Sequence, residues 1–292
     1  MQFFLQILIS GFASGAIYAS LALAIVILYK SMNVINFAQG EMALLSTSIA
    51  YLLLNFGVPY WLTFLLCLVF SFLMGVCVEF LVFRRMTNAP EMIKLFLLFA
   101  LLLIFKGMST LLLGSEPHVM PGPFSNVSWM KNTFITQNEV AIFIIVGILF
   151  ASVAAFFKFT RVGLAMRACA LQREASVLVG IRLHNMFALG WGLAAIMGCI
   201  SGLLIAPLIF LDPNMMGSVL IYAIAAALLG GLNSELGAVI GGLLMGVTEN
   251  MVASYVPFVG NDLKLSVALI MIIAVCLLRP AGIFGKIKVE RV

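Results

Sequence analysis

Charge is what this sequence has least of. Only 9% of its 292 residues are Asp, Glu, Lys or Arg, against about 25% in an ordinary soluble domain. Hydrophobic residues make up 64%, and mean hydropathy is +1.20. That leaves too little polar surface to coat a soluble globule, so the chain reads as a polytopic membrane protein. The apparatus of chemistry is missing as well. No G-x-x-x-x-G-K-[ST] stretch occurs to cradle nucleotide phosphates. The two histidines, His118 and His184, form no metal-binding spacing. There is no G-x-S-x-G elbow and no dense carboxylate cluster for a proton relay. A membrane enzyme is therefore poorly supported, and the chain reads as a conduit whose energy comes from elsewhere. Five cysteines (Cys67, Cys77, Cys169, Cys199, Cys276) lack any CxxC pairing and read as small hydrophobes. The opening MQFFLQILISGFASG has no basic n-region and reads as a retained first span rather than a signal peptide.

What is present is a series of apolar runs, near 3–28, 41–56, 61–83, 93–113, 139–158, 186–210, 217–230, 237–256 and 264–280. A crossing helix needs about 20 residues. The second and seventh runs are short and suit half-helices or re-entrant pieces. The expected fold is thus all-α, a helix bundle of about eight or nine membrane segments forming one unit over 1–292. The net charge of +5 does not point to nucleic acid, because the basic residues lie in loops, where they set orientation. Lys30, Arg84 with Arg85, the 159–185 loop, and the tail with Arg279, Lys286, Lys288 and Arg291 are expected in the cytoplasm. The 114–138 loop, with Glu116, Trp129 and the lone basic Lys131, is expected outside, as is the N-terminus.

Small residues recur at four-residue spacing: Gly11, Gly15 and Ala19; Gly198 and Gly202; Gly237 and Gly241; Gly242 and Gly246. Such spacing lets helix backbones approach closely in lipid. Two polar breaks interrupt the apolar pattern. In KSMNVINFAQGE (30–41), Asn33 or Asn36 is expected to cap a helix whose first turn holds Gln39 and Glu41. The second break is GGLNSELG (230–237). Broken segments in two halves of a transporter point to its path. The candidate path residues are therefore Asn36, Gln39, Glu41, Asn233, Glu249 and Asn250. Lone charges inside spans need partners, so Lys106 and Glu249, judged to lie at similar depth, are expected to pair or to share a wet cavity. Asn250 is expected to bond across helices, and Glu79 to neutralise Arg84 and Lys94 near the inner surface.

The most highly charged stretch is TRVGLAMRACALQREASVLVG, 160–180. At helical spacing Leu164, Ala168, Leu171, Ala175 and Leu178 form one apolar stripe, with Arg167 and Glu174 off it. Gly163 and Gly180 are expected to turn the chain at its ends. Such a helix can lie on lipid headgroups or fit a partner's groove.

Together, INFAQGE (35–41), GSEP (114–117), the 160–180 stretch, GGLNSELGAVIGGLLMGVTEN (230–250) and LRPAGIFG (278–285) resemble, in order and spacing, the permease subunit of ABC importers for branched-chain amino acids and related small solutes. The resemblance covers nearly the whole chain. It implies a multi-pass protein of the bacterial inner membrane. It also implies a sibling permease, two ATPase subunits that hold the ATP and Mg, and a periplasmic substrate-binding protein, with no cofactor on this chain. Arg167, Arg173, Glu174, Ala175, Ser176 and Gly180 fall where such permeases carry the helix that seats in the ATPase. The fourth span, KLFLLFALLLIFKG, departs from the family's threonine- and glycine-containing start, and its buried lysine suits a carboxylate-bearing solute. The same kind of permease carrying urea, short amides, or aromatic or organic acids is the alternative. An ion-coupled secondary transporter is a further one, and it would work alone on an ion gradient.

Overall fold

A helix that is apolar on every side belongs either in a protein core or in lipid. The first one, α1 (Gln2–Met32), takes the core over much of its length: every residue from Ile17 to Leu28 is buried. The computed structural model describes residues 2–86, 89–124, 135–256, 258, 260, 263–279 and 281–285. Trp129, Lys131, Lys286, Lys288 and Arg291 lie outside these described residues.

After α1 come α2 (Gln39–Asn55), α3 (Tyr60–Leu81) with a 3-10 turn at Phe83–Met86, α4 (Glu91–Leu113) and α5 (Gln137–Phe159). Two short helices follow, α6 (Arg161–Leu171) and α7 (Arg173–Leu178). Then come α8 (Leu183–Ile209), α9 (Met215–Gly230), α10 (Glu235–Tyr255) and α11 (Lys264–Leu278). Among the described residues, the helices other than α6 and α7 overlie the expected apolar runs one for one. Six of them are long and apolar enough to cross a bilayer, and α2, α9 and α11 are shorter. The protein is a polytopic helical membrane bundle.

The small residues do what their spacing predicts. α1 and α10 touch backbone to backbone: a Cβ on Gly15 would lie 2.9 Å from both the Gly242 oxygen and Leu243 Cα, and one on Gly246 would run into Gly15 and Gly11. Gly198 and Gly202 of α8 likewise pack on Gln39, Ala43 and Thr47 of α2. Hydrogen bonds join helices where glycine brings them close. The Ser20 and Ser201 hydroxyls meet at 2.5 Å between α1 and α8, and the Ser71 hydroxyl donates to the Ala195 carbonyl at 2.7 Å between α3 and α8. Around this core α3, α4, α5 and α11 turn large apolar side chains outward, as lipid-facing helices do.

One end of the bundle gathers basic residues. There Lys30 bridges to Glu235 at 2.7 Å, and Lys94, Arg173 and Glu79 line a common crevice. At the opposite end Tyr51 of α2 stacks on His118, which pairs by backbone with Leu211.

Candidate functional site

The first polar break builds a helix start deep inside the bundle. Asn33 adopts the left-handed conformation (φ +58°) and ends α1, so it is not the cap expected for α2. Asn36 does not cap that helix either: its Oδ1 accepts the Ala38 N–H at 3.0 Å and turns the chain back into the bundle. Its amide donates to Gln39 Oε1 at 3.1 Å, and Gln39 Nε2 donates to the Ala194 carbonyl at 2.7 Å. Ala194 lies eleven residues into α8, about 16 Å along its axis, so α2 begins well inside the bundle. Backbone groups at such a start need partners within the protein: Asn36 receives the Ala38 N–H, and Gln39 ties Asn36 to the α8 backbone. Both side chains are buried. Glu41 is also buried, but its Oε2 has no hydrogen-bond partner among the described residues.

The second break differs in kind. The α9–α10 turn lies at the basic end of the bundle, where Glu235 meets Lys30 and Asn233 is exposed beside an open cleft of ≈ 420 Å³. Ser234, not Asn233, caps α10, its hydroxyl accepting the Gly237 N–H at 3.0 Å. Gly231 has φ +103° and lies against the backbone of Ala281 and Gly285. The Ile283 and Phe284 N–H groups donate to the Leu229 and Gly230 carbonyls at 2.8 and 3.1 Å. The GGLNSELG and LRPAGIFG motifs therefore form one interlocked structure. Sequence spacing alone could not pair them, since forty residues, 238–277, lie between the two.

The expected Lys106–Glu249 pair does not form. α4 packs on α2, whereas α10 packs on α1, α9 and α11. Glu249 is buried and faces the hydroxyls of Tyr18 and Tyr222, whose rings stack at 4.9 Å, with Lys264 as its nearby cation. Lys106, half-buried, instead acts electrostatically on Glu41. Equal depth along two spans was a poor guide because depth leaves azimuth undetermined. Asn250 bonds within its own helix, to the Gly246 carbonyl at 3.1 Å, rather than across helices. Glu79 is buried, with Oε1 3.8 Å from His184 Nδ1 and Arg84 close enough to act on its charge. The tyrosines around Glu249 escaped sequence reading, although each is a rare polar side chain in an apolar run. Replacing Glu249 with Gln keeps a polar group of the same size facing both hydroxyls and is expected to preserve thermal stability in detergent. Glu249→Leu puts an apolar side chain against the two tyrosine hydroxyls and is expected to cost about 1–3 kcal/mol.

The 160–180 stretch is two helices rather than one, because Gln172 is extended (φ −145°, ψ 99°) between α6 and α7. Thr160 caps α6, accepting the Gly163 N–H at 2.9 Å. Gly163 does not turn the chain; it lets α6 lie against the Phe156–Phe157 backbone of α5. Gly180, with φ +85°, does turn it. The buried face is Gly163, Met166, Cys169 and Ser176, so the Leu164–Leu178 stripe points outward, with Leu171 78% and Leu178 88% exposed. Val177 and Val179 extend it. Arg167, Glu174 and Ala175 are exposed with it. Arg173 is turned inward: its guanidinium donates to the Ser31 carbonyl at the end of α1 and lies 5.5 Å over the Phe187 ring. It pins α7 to the bundle rather than reaching outward. An open cleft of ≈ 650 Å³ runs beside α7, from Lys30 and Asn33 to Leu178.

A helical bundle with a re-entrant start to α2, close glycine packing and a helical pair displayed at its basic end defines a membrane permease component. The chain belongs to the family described as "Branched-chain amino acid transport system / permease component", whose model matches residues 7–276. It is 28% identical over 306 residues to the high-affinity branched-chain amino acid transport system permease protein LivH of Escherichia coli (strain K12), covering 99% of this chain and 98% of that one. It is equally similar, 28% over 304 residues, to the permease protein BraD of Pseudomonas aeruginosa, with the same coverage. A probable LivH of Methanocaldococcus jannaschii is 26% identical over 281 residues, covering 91% of this chain and 87% of that one. The bundle also shares its fold with a chain of PsaBC from Streptococcus pneumoniae, solved in complex with Fab. The TM-score is 0.56 at 13% identity, covering 95% of this chain and 92% of the other.

Proposed function

We propose that this chain is the membrane-spanning permease subunit of an ATP-driven importer for branched-chain amino acids. The basic end is cytoplasmic, placing the N-terminus of α1 in the periplasm and the C-terminus in the cytoplasm. Two ATPase subunits hold and hydrolyse ATP with Mg, a sibling permease completes the membrane pair, and a periplasmic binding protein delivers solute. The observation that carries this reading is the outward apolar face of α6 and α7 on a pair of helices anchored from behind. Leu164, Leu171, Val177, Leu178 and Val179 are exposed, while Thr160, Gly163 and Arg173 tie the pair to α5 and α1. A rigidly held apolar ridge with Arg167 and Glu174 at its edge suits a helix-in-groove contact. Movement of the ATPase pair then passes through Arg173 to α1 and through Gly163 to α5.

The test is ATP-dependent leucine uptake in proteoliposomes containing the ATPase, a sibling permease and the binding protein, with wild type compared against Glu174→Arg. Uptake and ATPase co-purification should both fall at least tenfold while the variant stays inserted and folded. Undiminished uptake in the variant, or wild-type uptake driven by an ion gradient with no ATPase present, would overturn the reading.

A further inference from the structure

The α2–α4 seam holds a second feature, independent of the cytoplasmic ridge. Both helices run from the basic end toward the Tyr51–His118 end, and their register is fixed twice. Near the start Phe37 stacks on Phe99 with ring centroids 5.1 Å apart. Near the finish His118 joins the Tyr51 hydroxyl at 3.2 Å to the Leu113 carbonyl at 2.8 Å. The pairs 37 with 99 and 51 with 113 share one offset, so Glu41 lies level with Leu103. Lys106 lies one turn further along α4, and helical side chains lean back toward the N-terminus, so its stem leads toward Glu41.

The two charges interact without touching. Lys106 is the charged group acting on Glu41, yet among the described residues no ion pair within 4.0 Å joins them. Glu41 Oε2 is buried without a hydrogen-bond partner, and so is Ser109 Oγ, three residues beyond Lys106. Lys106 lies on the part-buried side of α4 with Leu102 and Ser109, whereas Gly107 lies on the outward side with Leu103, Ile104 and Leu111. A cation facing lipid at a helix centre costs about 2.5–3.5 kcal/mol on insertion scales, so the Lys106 ammonium is held toward the polar α2–α4 seam rather than toward lipid.

We propose that Glu41 and Lys106 form a transit site for the two charged ends of an α-amino acid. The α-ammonium is received by Glu41 and the α-carboxylate by Lys106, with the Ser109 hydroxyl as an additional donor. The gap between the two side chains is bridged by the zwitterion, whose charges have the opposite order. The proposal rests on the importer reading and adds to it the place where solute charge is recognised inside the membrane. Neutral amides and urea, lacking both charges, gain nothing at such a site.

The reconstituted importer tests this with Glu41→Gln, Lys106→Gln and the double variant. Each single variant should lose at least tenfold in ATP-driven leucine uptake, and the double variant should be no better. If the charges merely neutralise each other, the double variant regains wild-type uptake, and that result overturns the site while leaving the importer reading intact. Should the wild-type importer fail to carry leucine at all, the importer reading fails and the site with it. A second measurement does not depend on the charge variants folding. In the otherwise unchanged complex, Ser109→Cys should react during turnover with a charged, water-soluble thiol reagent, above the background of the exposed Cys77 and Cys276. Saturating leucine-loaded binding protein should slow that reaction several-fold. Inertness to the reagent, or labelling indifferent to leucine, would overturn the proposal.

Discussion

Gly246→Ala is expected to lower the thermal stability of the detergent-solubilised protein sharply, whereas Gly147→Ala leaves it unchanged or slightly raised. Both glycines are interior to long helices, α10 and α5, and both substitutions add a single methyl group. Helix propensity alone favours alanine by about 1 kcal/mol at each. The surroundings reverse the sign at one of them. At Gly246 the new Cβ would overlap Gly15 Cα and N and the Gly11 oxygen of α1, all backbone atoms that no rotamer change can move. At Gly147 it would meet nothing within 4 Å. Overpacking costs about 1–3 kcal/mol where side chains can yield, and the upper end or more is expected where two helix axes must separate. Because α1 also packs on α8 and α9, its displacement disturbs them as well. Monodispersity on gel filtration and the unfolding midpoint read the effect. Equal midpoints for the two variants would mean that the α1–α10 contact is looser than its geometry.

Arg173→Met is expected to uncouple the importer without unfolding it. The guanidinium joins α7 to the Ser31 carbonyl at the end of α1 and stacks on Phe187 of α8, so it links the displayed ridge to two helices of the core. A charge-assisted hydrogen bond of this kind is worth about 1.5–3 kcal/mol. If all of it is spent holding α7 in its docking position, ATPase association weakens roughly ten- to a hundredfold. Lys in its place keeps the charge but not the planar stacking, so Arg173→Lys should rescue only in part. Uptake and ATPase co-purification on the same preparations distinguish this from general instability. A variant that unfolds at lower temperature with its uptake per folded molecule unchanged would contradict the linkage.

Such a role for Arg173 was not visible in its position in the chain. Read along a single helix, Arg167, Arg173 and Glu174 looked like one set of outward anchors. Gln172 breaks that helix and rotates α7, so Arg173 faces the bundle while Arg167 and Glu174 face out. The apolar stripe was legible as a stripe, but not as the exposed face, because periodicity gives the angle between residues and not the direction of the core. Asn36 and Gln39 were legible as polar residues at a break. Only their bonds to Ala38 and Ala194 reveal that they hold the buried start of α2.

The sequence by itself determined the solvent and the segments. Nine percent charge and long apolar runs can be satisfied only in a bilayer, and each run had to become a helix because lipid offers backbone groups no other partner. It also determined that helices would meet at the glycine rows, since only residues without bulk allow that approach. Which row met which, and which charge faced which, was decided by the tertiary structure. Glu249 turned to Tyr18 and Tyr222, Lys106 to Glu41, and the 230–237 turn to residues 281–285. Those pairings depend on the rotation of each helix about its axis, and in a chain apolar on nearly every face the pattern of residues leaves that rotation open until the neighbours are in place.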